Sequence, residues 1–289
     1  MPARRLSASQ ISTWLACNRK FAFRYVEHAP REHRPSALAF GSAVHSAIDW
    51  FHGERLEGGV PPPDKAAAIF RADWDAELDE PVRFKDDESP EALRETGETL
   101  VRLYAERMAA VPIEATELPF EVPLVDLSTG EVLSDSIRGF IDLLLPDDRL
   151  VEIKTSARRI SDSDLRRRLQ LSAYAYAHRL KHGRSPQLTV ISLGKGRRPS
   201  IEVQTTERTL EDDAFFVHLA SEAARGMDSG AYPPNPGWMC GDCEYAASCA
   251  AWRGSAPTRS VIPDALEETR IALGGHPWTA TVPIEVPPP

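Results

Sequence analysis

Apolar residues recur at helical spacing through the first hundred residues of the chain. The pattern predicts helices over residues 7–28, 39–52, 64–80 and 90–110. Ser7 and Ser9 are candidate N-caps of the first helix, because a serine hydroxyl can accept a hydrogen bond from an otherwise unpaired amide of the first turn. The two later helices fall within residues 55–112, which we expect to form a helical insert over the core.

From residue 117 the spacing changes to the shorter period of strands. The pattern predicts strands over 118–125, 136–145, 150–155, 187–193 and 200–205, and helices over 161–181 and 209–227. Turn residues separate the first three strands at Ser128–Gly130 and Pro146–Asp148. Strands and helices in this order predict an α/β fold, with a mixed central β-sheet flanked by helices.

Charged residues interrupt two of the predicted strands. Asp142 lies inside one apolar run, and Glu152 and Lys154 interrupt the next. Burying a carboxylate costs several kcal/mol unless a metal or a partner compensates it. Two carboxylates and an ammonium at a hairpin therefore indicate a site for a divalent cation and a phosphoryl group, and the backbone carbonyl of Ile153 is a possible further ligand. The alternative is a Glu–Lys pair on the exposed face of an edge strand.

Composition narrows the class of protein. The 289 residues are 42% hydrophobic and 27% charged, as in an ordinary soluble globular protein. Because no run of 18 apolar residues and no secretory leader is present, we expect a cytoplasmic protein without a membrane partner. The net charge is −9, but the acids concentrate in residues 73–98 and bases in 1–34 and 181–198. Two interpretations of this charge distribution therefore remain: the basic residues line a groove that binds nucleic acid, or the charged segments are ordinary solvated faces.

The four cysteines have an unusual distribution. Cys17 stands alone, whereas Cys240, Cys243 and Cys249 form a C-x₂-C-x₅-C pattern within the segment 231–252. Disulfides are disfavoured in the cytosol, so we expect four thiolates that bind either Zn²⁺ or an iron–sulfur cluster. Residues 255–289 are rich in proline, and we expect an extended or partly disordered tail.

Three short motifs, taken in order, resemble a known family. They are Gly139-Phe-Ile-Asp142, Val151-Glu152-Ile-Lys154-Thr155 and Gln170-Leu-Ser-Ala-Tyr174, and they are similar to the successive motifs of the PD-(D/E)XK nuclease superfamily in its RecB-like branch. The resemblance implies that Asp142 and Glu152 bind metal and that Lys154 is catalytic. It also implies that Gln170 and Tyr174, on one helical face, organise the site and the DNA.

The resemblance extends to a histidine and to the cysteines. His45, in Gly41-Ser-Ala-Val-His45, is similar to an upstream histidine of that branch, which implies a metal ligand and tolerance of Mn²⁺ as well as Mg²⁺. The sequence around Cys17 and the C-terminal cysteine triplet resemble the iron–sulfur nucleases of the branch, which include AddB-type subunits and CRISPR-associated exonucleases. This implies a structural [4Fe–4S] cluster that joins the two ends of a domain spanning 1–254.

These expectations define two functional hypotheses. The first is a metal-dependent DNA exonuclease that prefers single strands and acts in repair, recombination or CRISPR adaptation. The chain has no G-x-x-x-x-G-K-[ST] motif, so any unwinding is expected to come from a helicase or another recombination partner. The second is a non-catalytic subunit that binds nucleic acid or supports the assembly of such a complex. The three charged residues in the strands favour the first hypothesis, since a retired site has no reason to keep buried charges.

Overall fold

The computed structural model describes residues 3–196 and 198–254. It begins with β1 (Arg5–Leu6), α1 (Ala8–Ala16) and α2 (Asn18–Tyr25). Ser7 caps α1 as predicted, because its side chain accepts a hydrogen bond from the Gln10 amide at 3.2 Å. The prediction of one helix over 7–28 is wrong, since the backbone of Cys17 is extended (φ −162°) and separates α1 from α2.

The following elements form the rest of the central sheet, a separate two-stranded sheet made of the second and third strands, and the helices around them. They are β2 (Arg34–Pro35), α3 (Ser36–Leu56), α4 (Pro63–Glu77), β3 (Val82–Arg83), α5 (Pro90–Met108), β4 (Ala115–Val125), β5 (Val132–Leu145), β6 (Arg149–Ser156), α6 (Asp162–Arg167), α7 (Leu169–His182), β7 (Gln187–Gly194), β8 (Ser200–Thr206) and α8 (Leu210–Asp228). A short 3₁₀ turn (Trp238–Asp242) follows. The five predicted strands are thus present, and the predicted insert contains α4 and α5.

The helix predicted over 161–181 is broken at Arg168, which makes that prediction wrong at one point. Arg168 is extended and separates α6 from α7. The guanidinium of Arg208, itself buried, lies 3.0 Å from the Leu165 carbonyl and 3.4 Å from the Arg168 carbonyl. This side chain supplies further donors to two carbonyls at the break, which also accept from the backbone amides of Arg168 and Ser172.

The main sheet contains both parallel and antiparallel pairs. Its order is β1-β5-β6-β7-β8, and β4 pairs with β5 off this path. β5 and β6 form a hairpin whose loop uses Asp147 and Asp148 at positive φ, a conformation that aspartate tolerates better than most residues. β6 and β7 run parallel, with Lys154 in register with Ser192.

Two hydrophobic cores cover the two faces of this sheet. One core joins the sheet to α1, α7 and α8, with the fully buried Leu171 and Phe216 among its members. The other joins it to α3, α4 and α5, where Phe40, Phe70 and Trp74 pack together. The sheet therefore lies between two helical layers, and a side chain can reach its edge from either layer.

The edge of β5 has a gap that positions the site. β4 pairs with β5 along one edge, so β1 and β6 must share the other edge. β1 pairs only with Ser136 and Ile137, and β6 only with residues 143–145. Between them, Arg138–Asp142 has no strand partner on this edge among the described residues. Backbone groups in such a gap need other hydrogen-bond partners, and side chains from neighbouring elements can reach them.

A second unit begins at Ala246 and is described through α9 (Ala246–Gly254). The first unit ends at Tyr245. The predicted tail 255–289 lies outside the described residues. In the part of the chain that the structure describes, no helix is both long enough and apolar enough to cross a bilayer.

Candidate functional site

A cleft of about 900 Å³ opens at the gap in the edge of β5. Its wall includes five of the residues singled out from the sequence: His45, Asp142, Lys154, Gln170 and Tyr174. They come from α3 in one helical layer, from β5 and β6 in the sheet, and from α7 in the other layer. Residues that are far apart in the chain therefore meet in one cleft.

Asp142 lies at the point where β5 and β6 separate. Its carboxylate Oδ2 accepts a hydrogen bond from the backbone amide of Ile153 at 2.6 Å, so the side chain takes the place of a strand pairing. Asp142 is only 8% exposed. Burial, followed by the charge of Glu152, raises its pKa well above the usual range. Without a cation, this carboxyl group therefore tends to hold a proton.

Glu152 and Lys154 belong to a closed circuit of polar contacts. Glu152 is fully buried, and its two carboxylate oxygens contact the Lys154 ammonium and, at 2.7 Å, the Tyr174 hydroxyl. Gln170 completes the circuit: its amide donates to the Tyr174 hydroxyl at 2.9 Å, and its Oε1 accepts from Lys154 at 3.3 Å. The circuit holds the Lys154 ammonium in one place at the cleft wall.

Tyr174 also contacts the free edge of β5. Its hydroxyl lies 2.6 Å from the Phe140 carbonyl as well as 2.7 Å from Glu152, and its single hydrogen can be donated to only one of them at a time. Burial, followed by the charge of Glu152, raises the pKa of Tyr174 well above its usual value, so the hydroxyl stays protonated. The tyrosine thereby fixes Glu152 relative to the strand that carries Asp142.

His45 reaches the site from α3. Its Nδ1 lies 4.0 Å from Asp142 Oδ2, and its ring lies beside the backbone of Ile153. Burial, followed by the charge of Lys154, lowers the pKa of His45, which favours the neutral imidazole that binds metals. The structure therefore brings His45 and Asp142 together beside Ile153. Glu152, the other predicted ligand, lies outside this group and does not line the cleft, and its oxygens contact Lys154 and Tyr174 instead.

Glu117 is a site residue that the sequence analysis missed. Among the described residues, the ligand atoms of His45, Glu117 and Asp142 all lie within 4.8 Å of one another. Burial, followed by the charge of Asp49, raises the pKa of Glu117. An isolated glutamate at the start of a predicted strand is too common to single out, and only its position across from Asp142 makes it notable.

The backbone at Glu117 explains how it faces Asp142. Thr116 is paired with Leu143 and Leu118 with Ile141, so Glu117 lies between these pairs, opposite Asp142. Its φ is +44°, a left-handed conformation that is uncommon for a residue with a side chain. Such outliers persist where the surrounding structure holds them, and they concentrate at functional sites.

These donors suit a small divalent cation. Carboxylate oxygens are the ligands that Mg²⁺ and Mn²⁺ prefer, and an added imidazole is compatible with Mn²⁺. The raised pKa values of Asp142 and Glu117 have the same cause, since buried acids without a counter-ion disfavour their charged forms. The side chains therefore fit the metal that the motifs imply.

Three of the cysteines lie in the first unit. Cys17 Sγ accepts hydrogen bonds from the amides of Lys20 (3.5 Å) and Asn235 (3.4 Å), and Cys240 Sγ accepts one from Gly237 at 3.4 Å. Burial raises the pKa of the Cys243 thiol, and the charges of Glu244 and Cys17 add to this effect. The bond from Asn235 connects the cysteine-rich segment to the break between α1 and α2. Cys249 lies on α9 in the second unit, and all four thiols are free.

Comparisons with known proteins show the fold and the superfamily of this chain. A crystal structure named "Putative exonuclease" from Eubacterium rectale has a TM-score of 0.56 and 15% sequence identity, covering 84% of this chain and 88% of its own. A second structure, named SSO0001, also has 15% identity and covers 81% of this chain and 94% of its own, but its TM-score of 0.36 is too low to carry an argument. No curated protein matches the chain. The model of the PD-(D/E)XK nuclease superfamily matches residues 5–250, and this chain therefore belongs to that superfamily.

Proposed function

We propose that this protein is a divalent-metal-dependent deoxyribonuclease that hydrolyses phosphodiester bonds in the cleft at the edge of β5. The observation that carries the proposal is the convergence of His45, Glu117 and Asp142 within 4.8 Å. The paired Lys154 and Glu152 lie on the neighbouring strand. A bound Mg²⁺ or Mn²⁺ supplies Lewis-acid activation of water and neutralises charge on the phosphate. His45, Glu117 and Asp142 would hold this ion, with Glu152 and the Ile153 carbonyl as further ligands.

Lys154 has a distinct role in the proposal. Its ammonium is held by Glu152 and Gln170 and also lines the cleft. A cation fixed in this way can stabilise negative charge that develops on the phosphate or orient the attacking water. Gln170 and Tyr174 act as positioning residues, because they hold Lys154 and Glu152 through the polar circuit.

We also propose that the protein acts on the ends of DNA strands. The structural neighbour from Eubacterium rectale carries the name "Putative exonuclease", and the order of motifs resembles the RecB-like branch with its AddB-type and CRISPR-associated members. We therefore propose a DNA exonuclease that prefers single strands. A helicase or another recombination protein would supply those strands from a duplex.

The test uses linear and circular single strands of one sequence with Mn²⁺. Wild-type protein is expected to degrade the end-labelled linear strand and to leave the closed circle intact. Asp142→Ala, purified in parallel, controls for a contaminating nuclease. Equal cleavage by both proteins, or none by either, would favour the alternative of a non-catalytic nucleic-acid-binding or assembly subunit.

Glu117 provides a prediction for the ion site. Glu117→Gln is expected to weaken Mn²⁺ binding by about 10- to 100-fold, because it removes one charged oxygen ligand from a small set. The matched control is Glu121→Gln, which alters another glutamate of β4 that lines the cleft but pairs with Arg5. Titration calorimetry measures both affinities. An equal loss in the two variants would assign the effect to the charge of the cleft and contradict a ligand role for Glu117.

We also propose that Cys17, Cys240, Cys243 and Cys249 hold a structural [4Fe–4S] cluster in a cytoplasmic protein. Amide donors directed at Cys17 and Cys240 support this, because hydrogen bonds to sulfur stabilise thiolate ligands.

Anaerobic purification tests the cluster. The expected product is a brown protein with about four iron and four sulfide per chain, and Cys17→Ser is expected to lose iron and stability together. A colourless protein with one zinc per chain would overturn the cluster and leave the nuclease proposal unaffected.

A further inference from the structure

Phe140 is an exposed aromatic residue in the wall of the cleft. It lies on β5 two residues before Asp142, a separation of about 7 Å along a strand. The residue lines the cleft and is 57% exposed. Among the described residues its ring makes no contact with another aromatic ring, although its backbone carbonyl is used by Tyr174. The backbone is thus fixed by the site, while the residue keeps a large exposed surface at the cleft.

The neighbours of Phe140 form an apolar surface beside a cationic one. Pro119, in register across β4, lines the same cleft, so two flat apolar groups lie side by side. Arg138, two residues before Phe140, is exposed and also lines the cleft. Tyr25 of α2 contributes a second aromatic ring to the lining. A flat apolar surface with a nearby guanidinium matches the two parts of a nucleotide, its base and its phosphate.

We infer that Phe140 is a stacking platform for an unpaired base of the nucleotide next to the cleaved phosphate, and that Arg138 contacts the backbone of the same strand. The inference rests on the proposed nuclease function and specifies its substrate as single-stranded. A base inside a duplex is covered on both faces by its neighbours, so only an unpaired or terminal base can offer a free face to the ring. Phe140 therefore discriminates in favour of single strands by stacking.

Wild-type protein and three variants at position 140 distinguish stacking by an aromatic ring from the effect of apolar volume alone. Phe140→Ala removes the ring, Phe140→Leu keeps apolar bulk without a ring, and Phe140→Tyr keeps the ring. All three retain the backbone carbonyl that Tyr174 contacts. The matched control is Phe215→Ala on α8, because Phe215 is similarly exposed at 63% and does not line the cleft.

The experiment measures cleavage of a single strand with Mn²⁺ while an abasic site is moved along the strand. For wild-type protein, kcat/KM is expected to fall about 5- to 100-fold when the abasic site reaches one position next to the cleaved bond. Phe140→Ala is expected to lose a similar factor on the intact strand and to become insensitive to the abasic site at that position. Phe140→Tyr restores the wild-type pattern, Phe140→Leu does not, and Phe215→Ala resembles wild type.

A binding measurement keeps this test separate from that of the nuclease. Protein in chelator is titrated into a strand with 2-aminopurine, whose fluorescence falls when the base stacks. Quenching by wild type and Phe140→Tyr, but not by Phe140→Ala, supports the platform even if no cleavage is seen, in which case only the proposed function fails. The stacking proposal is overturned, whatever the cleavage result, if wild type and Phe140→Ala quench the fluorescence equally. It is also overturned if Phe140→Leu quenches as strongly as Phe140→Tyr.

Discussion

Asp142→Asn is expected to lower metal-dependent cleavage by about 100- to 1000-fold, the usual effect of removing one group that stabilises a transition state. The substitution keeps the shape of the side chain and an oxygen that can accept from the Ile153 amide. It removes the charge that a divalent cation requires. Rates at saturating Mn²⁺ measure the effect. A variant with wild-type kcat would show that the cation is held elsewhere.

The same variant is expected to be more stable than wild type when metal is removed. Burial and Glu152 raise the pKa of Asp142 in the folded protein above its unfolded value. The folded state therefore binds this proton more tightly, and metal-free wild-type protein loses stability as pH rises from about 4, the unfolded pKa, through the folded pKa. Asparagine does not titrate, so the advantage of Asp142→Asn grows with pH. Urea unfolding in chelator between pH 4 and 8 measures it.

Asp148 provides a control for which the expected change in stability has the opposite sign. Hydrogen bonds from Arg184, followed by His178, lower the pKa of Asp148 to about 2. Its contribution to stability is therefore present above the unfolded pKa and is lost as pH falls from about 4 to about 2. Asp148→Asn is thus expected to destabilise the protein at neutral pH. If Asp142→Asn and Asp148→Asn shift stability in the same direction at pH 7.5, the account of Asp142 is wrong.

Lys154→Met is expected to lower cleavage by about 100- to 1000-fold while Mn²⁺ affinity stays within a few-fold of wild type. Methionine keeps most of the apolar length but removes the ammonium that contacts Glu152 and Gln170. Because Glu152 is fully buried, loss of its cationic partner is also expected to destabilise the metal-free protein by about 3–5 kcal/mol. Calorimetric titration, single-turnover rates and urea unfolding measure the three effects.

Two further variants separate chemistry from stability in this prediction. Lys154→Met combined with Glu152→Gln is expected to recover much of the lost stability, because no unpaired charge remains buried, but none of the activity. Lys195→Met removes a second lysine, whose side chain is largely buried, pairs with Glu88 at 3.2 Å and does not line the cleft. It is expected to lose stability and keep its rate. A similar rate loss in Lys195→Met would mean that activity simply follows stability.

Local signals in the chain were sufficient for most of the regular structure. Alternating patterns located β4 to β8, and the turn residues at Pro146–Asp148 marked the hairpin that carries Asp142 and Glu152. The breaks at Cys17 and Arg168 could not be predicted in this way, because apolar spacing continues through both. The break at Arg168 accompanies contacts from Arg208, which is distant in the chain.

The candidate site likewise contains some residues that the sequence predicted and others that only the structure revealed. By itself the sequence determined the superfamily, which the match over residues 5–250 confirms. It also predicted Asp142, Glu152 and Lys154 as candidate site residues, because charge inside an apolar strand is costly and therefore conspicuous. Only the tertiary structure decided that Glu117 faces Asp142 and that Phe140 lines the cleft. The physical reason is that strand register, and the gap between β1 and β6, depend on how distant segments of the chain pair. The local sequence around an exposed phenylalanine, or around a glutamate at the start of a strand, does not indicate which residues will lie opposite it.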